Sequence, residues 1–170
     1  MEQITLREYK YYLASSYKHE CDNNDIQINK RLSLLNSKYD NEYLENIIAG
    51  TYNFANKIIE ISENNYCGYI EIPLKSEPEI TYINLGLTGG WMSDTIINDS
   101  ENNFYSIDLL RNIFGYSFII EPCKTEITEE LDGDDEFLIL SEIPSYYLYI
   151  QCKKEIIDNA KTKVLQITKK

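Results

Sequence analysis

The sequence predicts an α+β fold: an N-terminal helical region packed against an antiparallel β-sheet, with a C-terminal helix. Three observations lead there. Apolar residues recur at three- and four-residue spacing through residues 1–64, and from residue 66 they fall into short β-branched and aromatic runs. The order is helices, then strands, then a helix, whereas a parallel sheet alternates strand and helix along the chain. The length of 170 residues suits one domain whose core needs no disulfide staples. We divide that domain into a helical part over 1–64, a mainly β part over 65–152 and a C-terminal helix over 153–168.

The first helix is expected near 5–19. Thr5-Leu6-Arg7-Glu8 has the form of a capping box, and Leu6, Tyr9, Leu13 and Tyr17 then mark one apolar face. The run Cys21–Asp25 breaks that pattern. A second helix near 26–37 carries Ile28, Leu32 and Leu35 on a stripe, with Asp25 as its expected cap. A third near 41–62 buries Leu44, Ile47, Ile48, Ala55, Ile58 and Ile59. Gly50 weakens its middle by about 1 kcal/mol relative to alanine, which points to close packing there.

Strands follow. Residues 66–74 are β-branched and aromatic, and residues 79–87 alternate, with Thr81, Ile83, Leu85 and Leu87 on one face. Lys75–Pro78 suits a hairpin between them. Thr88-Gly89-Gly90 reads as a loop into Trp91. Ser106–Phe114 reads as a short helix capped by Ser106 and stopped by Gly115. Further strands are expected at 116–120, 137–140 and 146–152. Asp132-Gly133 is a hairpin-turn dipeptide that would pair 126–131 with 136–141. The last helix should carry Ile156, Ile157, Ala160, Val164 and Leu165 on one face.

The net charge of -12 is unevenly spread. Residues 122–144 hold one lysine against eight acidic residues, and residues 145–170 hold six lysines against two acidic residues. A field of one sign steers encounter with surfaces of the opposite sign and repels nucleic acid. The tyrosine pairs Tyr11-Tyr12 and Tyr146-Tyr147 could stack on bases, but stacking platforms come with a basic groove. Direct nucleic-acid binding is therefore not expected.

Motifs for chemistry are sparse. The single histidine, His19, stands two residues from Cys21, a spacing that puts them on different faces of a helix. Cys21, Cys67, Cys123 and Cys152 form no C-x-x-C, and the N-terminus turns polar at once, so we expect four free thiols in a reducing cytoplasm. No apolar run approaches the roughly 18 residues that a membrane span requires. We expect a cytoplasmic protein of a bacterium or a phage-infected cell. Asp132, Asp134 and Glu136 match the start of a calcium loop, but Phe137 and Ile143 stand where glycine and a bidentate glutamate are needed. Gly86–Gly90 lacks the lysine of a phosphate loop. No cofactor is expected.

These readings favour an interaction protein over an enzyme. The expectation is an inhibitor that occupies the basic surface of a nuclease or another nucleic-acid-binding effector, as toxin-immunity proteins and phage anti-defence proteins of the anti-CRISPR type do. Its contact residues would be Glu126, Glu129, Glu130, Asp132, Asp134, Asp135 and Glu136; Trp91 reads either as a core residue, the commoner fate of a tryptophan, or as an aromatic anchor of the contact. The alternatives are a phage accessory or structural protein acting as a homo-oligomer, and a metal-dependent enzyme using carboxylates near 132–136.

Overall fold

The computed structural model describes residues 1–15, 24–86, 92–125 and 145–167, together with the backbone of 130–131 and 137–138. Helix α1 (Leu6–Ser15) begins with the expected capping box. Thr5 Oγ1 accepts the Glu8 amide at 3.1 Å, and Glu8 Oε1 accepts the Thr5 amide at 3.0 Å. These bonds satisfy two amides that a helix start leaves without partners. Tyr9 and Leu13 are fully buried and Leu6 is partly so.

Helix α2 (Asp25–Lys38) is capped by Asn24, one residue before the expected Asp25. The Asn24 side chain accepts the Gln27 amide at 2.9 Å. On its inner stripe Arg31 is buried beside Ile28 and Leu35. Arg31 Nη1 donates to the Ala14 carbonyl at 2.9 Å, where α1 ends. A cation suits the negative end of a helix dipole, and the buried guanidinium joins the two helices.

Helix α3 (Asn41–Asn65) spans about 37 Å at 1.5 Å per residue. All six residues of its expected stripe are buried. At Gly50 the helix backbone meets the carbonyl of Phe104; a Cβ there would stand 2.0 Å from that oxygen. Phe54 stacks on Tyr105 with centroids 4.3 Å apart, and Thr51 Oγ1 accepts the Ser106 amide at 2.8 Å.

Two three-stranded antiparallel sheets follow. In one, β3 (Met92–Asn98) lies between β2 (Glu79–Asn84) and β4 (Phe104–Ser106). In the other, β8 (Ser145–Gln151) lies between β1 (Tyr69–Leu74) and β5 (Ile119–Thr125). The expected hairpin between 66–74 and 79–87 is thus corrected: β1 and β2 belong to different sheets. Ile70 and Ile72 of β1 are buried beside Ile150 and Leu148 of β8, so shared burial selects the distant partner. Strands β3 and β4 were not expected. Ile96 and Ile97 are both fully buried, so β3 lacks the alternation that marks a half-exposed strand. The strand expected at 116–120 starts at Ile119, after a turn in which the Phe118 amide bonds the Gly115 carbonyl.

Helix α4 (Ile107–Phe114) has Ser106 as its cap, as expected, and stops at Gly115 with φ 90°. Strands β6 (Glu130–Leu131) and β7 (Phe137–Leu138) pair as Glu130 with Leu138 and Leu131 with Phe137, within the expected hairpin.

Helix α5 (Lys154–Ala160) is shorter than the 153–168 expected. Backbone bonds from Lys161, Thr162 and Lys163 to the carbonyls three residues back tighten its last turn. The chain then extends, and Val164 forms a parallel bridge with Glu2. β-branched Thr162 and Val164 propagate a helix poorly, and Val164 is more than half exposed. Among the described residues, one apolar cluster joins all five helices and both three-stranded sheets, and no helix is long and apolar enough to cross a membrane.

Candidate functional site

Of the residues singled out for partner binding, Trp91, Glu126, Glu129, Asp132, Asp134, Asp135 and Glu136 lie outside the described residues, as do His19 and Cys21. Glu130 is placed by its backbone in β6. What is described is the frame around the acidic segment. β5 ends at Thr125, β8 begins at Ser145, and these two residues are register partners. The two residues that flank 126–144 therefore sit side by side at one end of a single sheet.

The outer face of that sheet is exposed. Its residues follow from register and pleat: Tyr69, Glu71 and Pro73 on β1; Tyr147, Tyr149 and Gln151 on β8; Ile119, Glu121 and Cys123 on β5. The intervening Ile70, Ile72, Leu148, Ile150 and Ile120 point into the core. Tyr69 is 49 % and Ile119 41 % exposed. Tyr69 and Tyr149 stack at 5.7 Å. One cross-strand row reads Glu71, Tyr149, Glu121, so a glutamate flanks Tyr149 on each neighbouring strand. The row beside it holds Tyr147, whose hydroxyl is pushed upward by partial burial and by the nearby Cys123 and Glu71.

A second constellation is buried. Asp94 on β3 accepts from Tyr9 Oη at 2.7 Å, from Ser106 Oγ at 2.5 Å and from the Asp108 amide at 3.3 Å. Burial, then the neighbouring Asp108 carboxylate, pushes the Asp94 carboxyl up to about 7. Asp108 is also raised, chiefly by burial, with Arg111 opposing. Tyr9 is raised well above the ordinary phenol range by burial and by Asp94. Nearby, Asn112 Nδ2 donates to Tyr12 Oη at 2.8 Å. Nothing in the local sequence marked Asp94, because its partners come from α1 and from the start of α4.

A serine hydroxyl bonded to a carboxylate is the beginning of a nucleophile–base pair. Here both side chains are buried, and Ser106 Oγ also accepts the Leu109 amide at 3.0 Å as the cap of α4. A nucleophile must reach its substrate, and this one is committed to the helix end. The cluster is a buried polar clasp between α1, β3 and α4. Ser106→Ala should therefore cost about 2 kcal/mol or more, since it removes a cap and a bond to a buried carboxyl. Denaturant unfolding checks this; a loss below about 0.5 kcal/mol, the scale of a neutral surface change, would show that neither bond contributes.

A cleft of about 580 Å³ lies between α1, α2 and the C-terminal segment, lined by Leu6, Tyr11, Leu32 and Ile167 with Arg7 and Lys10. Neither the clasp nor the exposed sheet face lines it. Among the described residues no group of three His, Cys, Asp or Glu could hold a metal ion, and Cys67, Cys123 and Cys152 are free thiols. Compared with family models, curated proteins and solved structures, the chain matches none.

Proposed function

We propose that this chain is a small acidic interaction protein that inhibits a nucleic-acid-handling protein by occupying its basic surface, in the manner of immunity proteins or phage anti-defence proteins. The observation that carries this reading is the concentration of charge. Eight acidic residues against one lysine fall within 122–144, and that segment is anchored at both ends in adjacent strands of a sheet with an exposed outer face. Long-range attraction from such a segment accelerates encounter, and the sheet beside it offers tyrosines, which are enriched at interface centres.

The reading makes nucleic acid a competitor of this protein for its partner. The partner, captured on the immobilised chain and then purified, should release a labelled DNA or RNA duplex when this chain is added. Association should slow steeply with added salt, because charges are screened over about 8 Å at physiological ionic strength. A ternary complex of partner, nucleic acid and this chain, formed at rates insensitive to salt, would overturn the reading.

A further inference from the structure

We propose that the row Glu71, Tyr149, Glu121 on the outer face of the β1-β8-β5 sheet is a seat for an arginine side chain presented by a basic protein partner. The inference deepens the inhibitor reading and rests on it. Register places the three residues side by side across three strands. Adjacent strands lie about 4.8 Å apart, so each carboxylate is within side-chain reach of a cation over the central ring. Tyr69 stacks against Tyr149 with ring centroids 5.7 Å apart, which leaves the other face of the Tyr149 ring for a cation. A ring face attracts a cation, and a planar guanidinium can stack on it while donating to carboxylates at its edge. The same sheet already holds one such contact, with Lys124 Nζ 6.0 Å from the centre of the Tyr146 ring.

Charge selects among occupants. Among the described residues, the outer face of this sheet carries glutamates and no lysine or arginine. Neither Glu71 nor Glu121 enters the ion pairs found among the described residues, Lys75–Glu101 and Lys161–Glu63. A nucleic acid would bring phosphates against unneutralised carboxylates, an anionic membrane likewise, and a second copy of the chain would bring the same glutamates. A basic polypeptide brings the missing charge. Arginine fits better than lysine because stacking and edge-on hydrogen bonding need a flat, forked head, not a point charge.

The test uses the full chain and two labelled decapeptides, one alternating arginine with glycine and the other lysine with glycine, titrated by fluorescence anisotropy near 0.15 M salt. The arginine peptide should bind about fivefold or more tighter than the lysine peptide. Glu71→Gln with Glu121→Gln should weaken it about tenfold, and Tyr149→Leu, which keeps apolar bulk but removes the ring, should abolish the arginine preference. Glu45→Gln with Glu60→Gln, which removes the same charge from exposed positions on α3, should change binding by less than about twofold. Melting curves confirm that each variant is folded. Equal losses in the sheet and α3 pairs, or no arginine preference, would overturn the seat. A partner complex weakened by neutralising Glu126, Glu129, Glu130 and Asp132 but not by the sheet variants would also overturn it, and would leave the inhibitor reading standing.

Discussion

Gly50→Ala is expected to destabilise the protein by about 3 kcal/mol or more, the upper range for overpacking a core. At an exposed helix position the same change would stabilise by about 1 kcal/mol through helix propensity. Here the new methyl would stand 2.0 Å from the Phe104 carbonyl oxygen and 3.1 Å from its carbon. Both are backbone atoms of a strand paired with β3, so neither can swing aside as a side-chain tip would. Relief requires α3 to move off β4, and that movement stretches the bond from the Ser106 amide to Thr51 and separates the stacked Phe54 and Tyr105. Denaturant unfolding of wild type and variant checks the sign. A variant as stable as wild type would mean that α3 and β4 do not approach as described.

The second large effect is a pH dependence centred on Asp94. Its carboxyl is raised in the folded protein, by burial first and then by Asp108, to about 7, against the ordinary 3.8. The folded state therefore holds a proton that the unfolded chain has already released over this interval. The contribution to stability is fully present below about pH 4 and is lost as pH rises through about 7. Its size is on the order of 4 kcal/mol, from about three pH units at about 1.4 kcal/mol each. Asp94→Asn cannot ionise and keeps an oxygen to accept from Tyr9 or Ser106. The difference in unfolding free energy between wild type and Asp94→Asn should shift toward the variant as pH rises from about 4 to about 8. The comparison between the two proteins reports on Asp94 together with its neighbour Asp108 and cancels the repulsion among the more distant carboxylates. A difference that stays constant across that range would show that Asp94 ionises normally.

How much of this was readable beforehand depended on the range of the interaction. The capping box at Thr5 and Glu8, the Ser106 cap and the inner stripe of α3 are set by residues within a turn or two, and local spacing revealed them. Gly50 was readable as a site of close packing, though not which backbone it meets. Strand pairing was not readable. Lys75–Pro78 has the composition of a hairpin turn, yet β1 pairs with β8 from the far end of the chain. β3 was hidden because Ser93 and Asp94 follow two glycines and a tryptophan and read as loop. Asp94 becomes a buried strand residue through hydroxyls 85 and 12 positions away. The seat at Tyr149 has the same character, since its three residues come from three separate strands. The acidic segment was legible as charge, and the frame that holds it at Thr125 and Ser145 was not.

The position of β8 in its sheet bears on how the polypeptide emerges during synthesis. Among the described residues, β1 and β5 share no backbone hydrogen-bond ladder; each pairs with β8, which follows both of them in the sequence. A nascent chain can assemble α1 to α4 and the β2-β3-β4 sheet while its later part is still in the ribosome. Until Ser145–Gln151 arrives, β1 and β5 each lack the strand that pairs their edges. Release of a product truncated near residue 144 would leave two orphan strands and a core open on one side, with the hazards of aggregation that exposed strands carry. Strand β8 thus works as a latch, because its arrival joins β1 to β5 in one sheet.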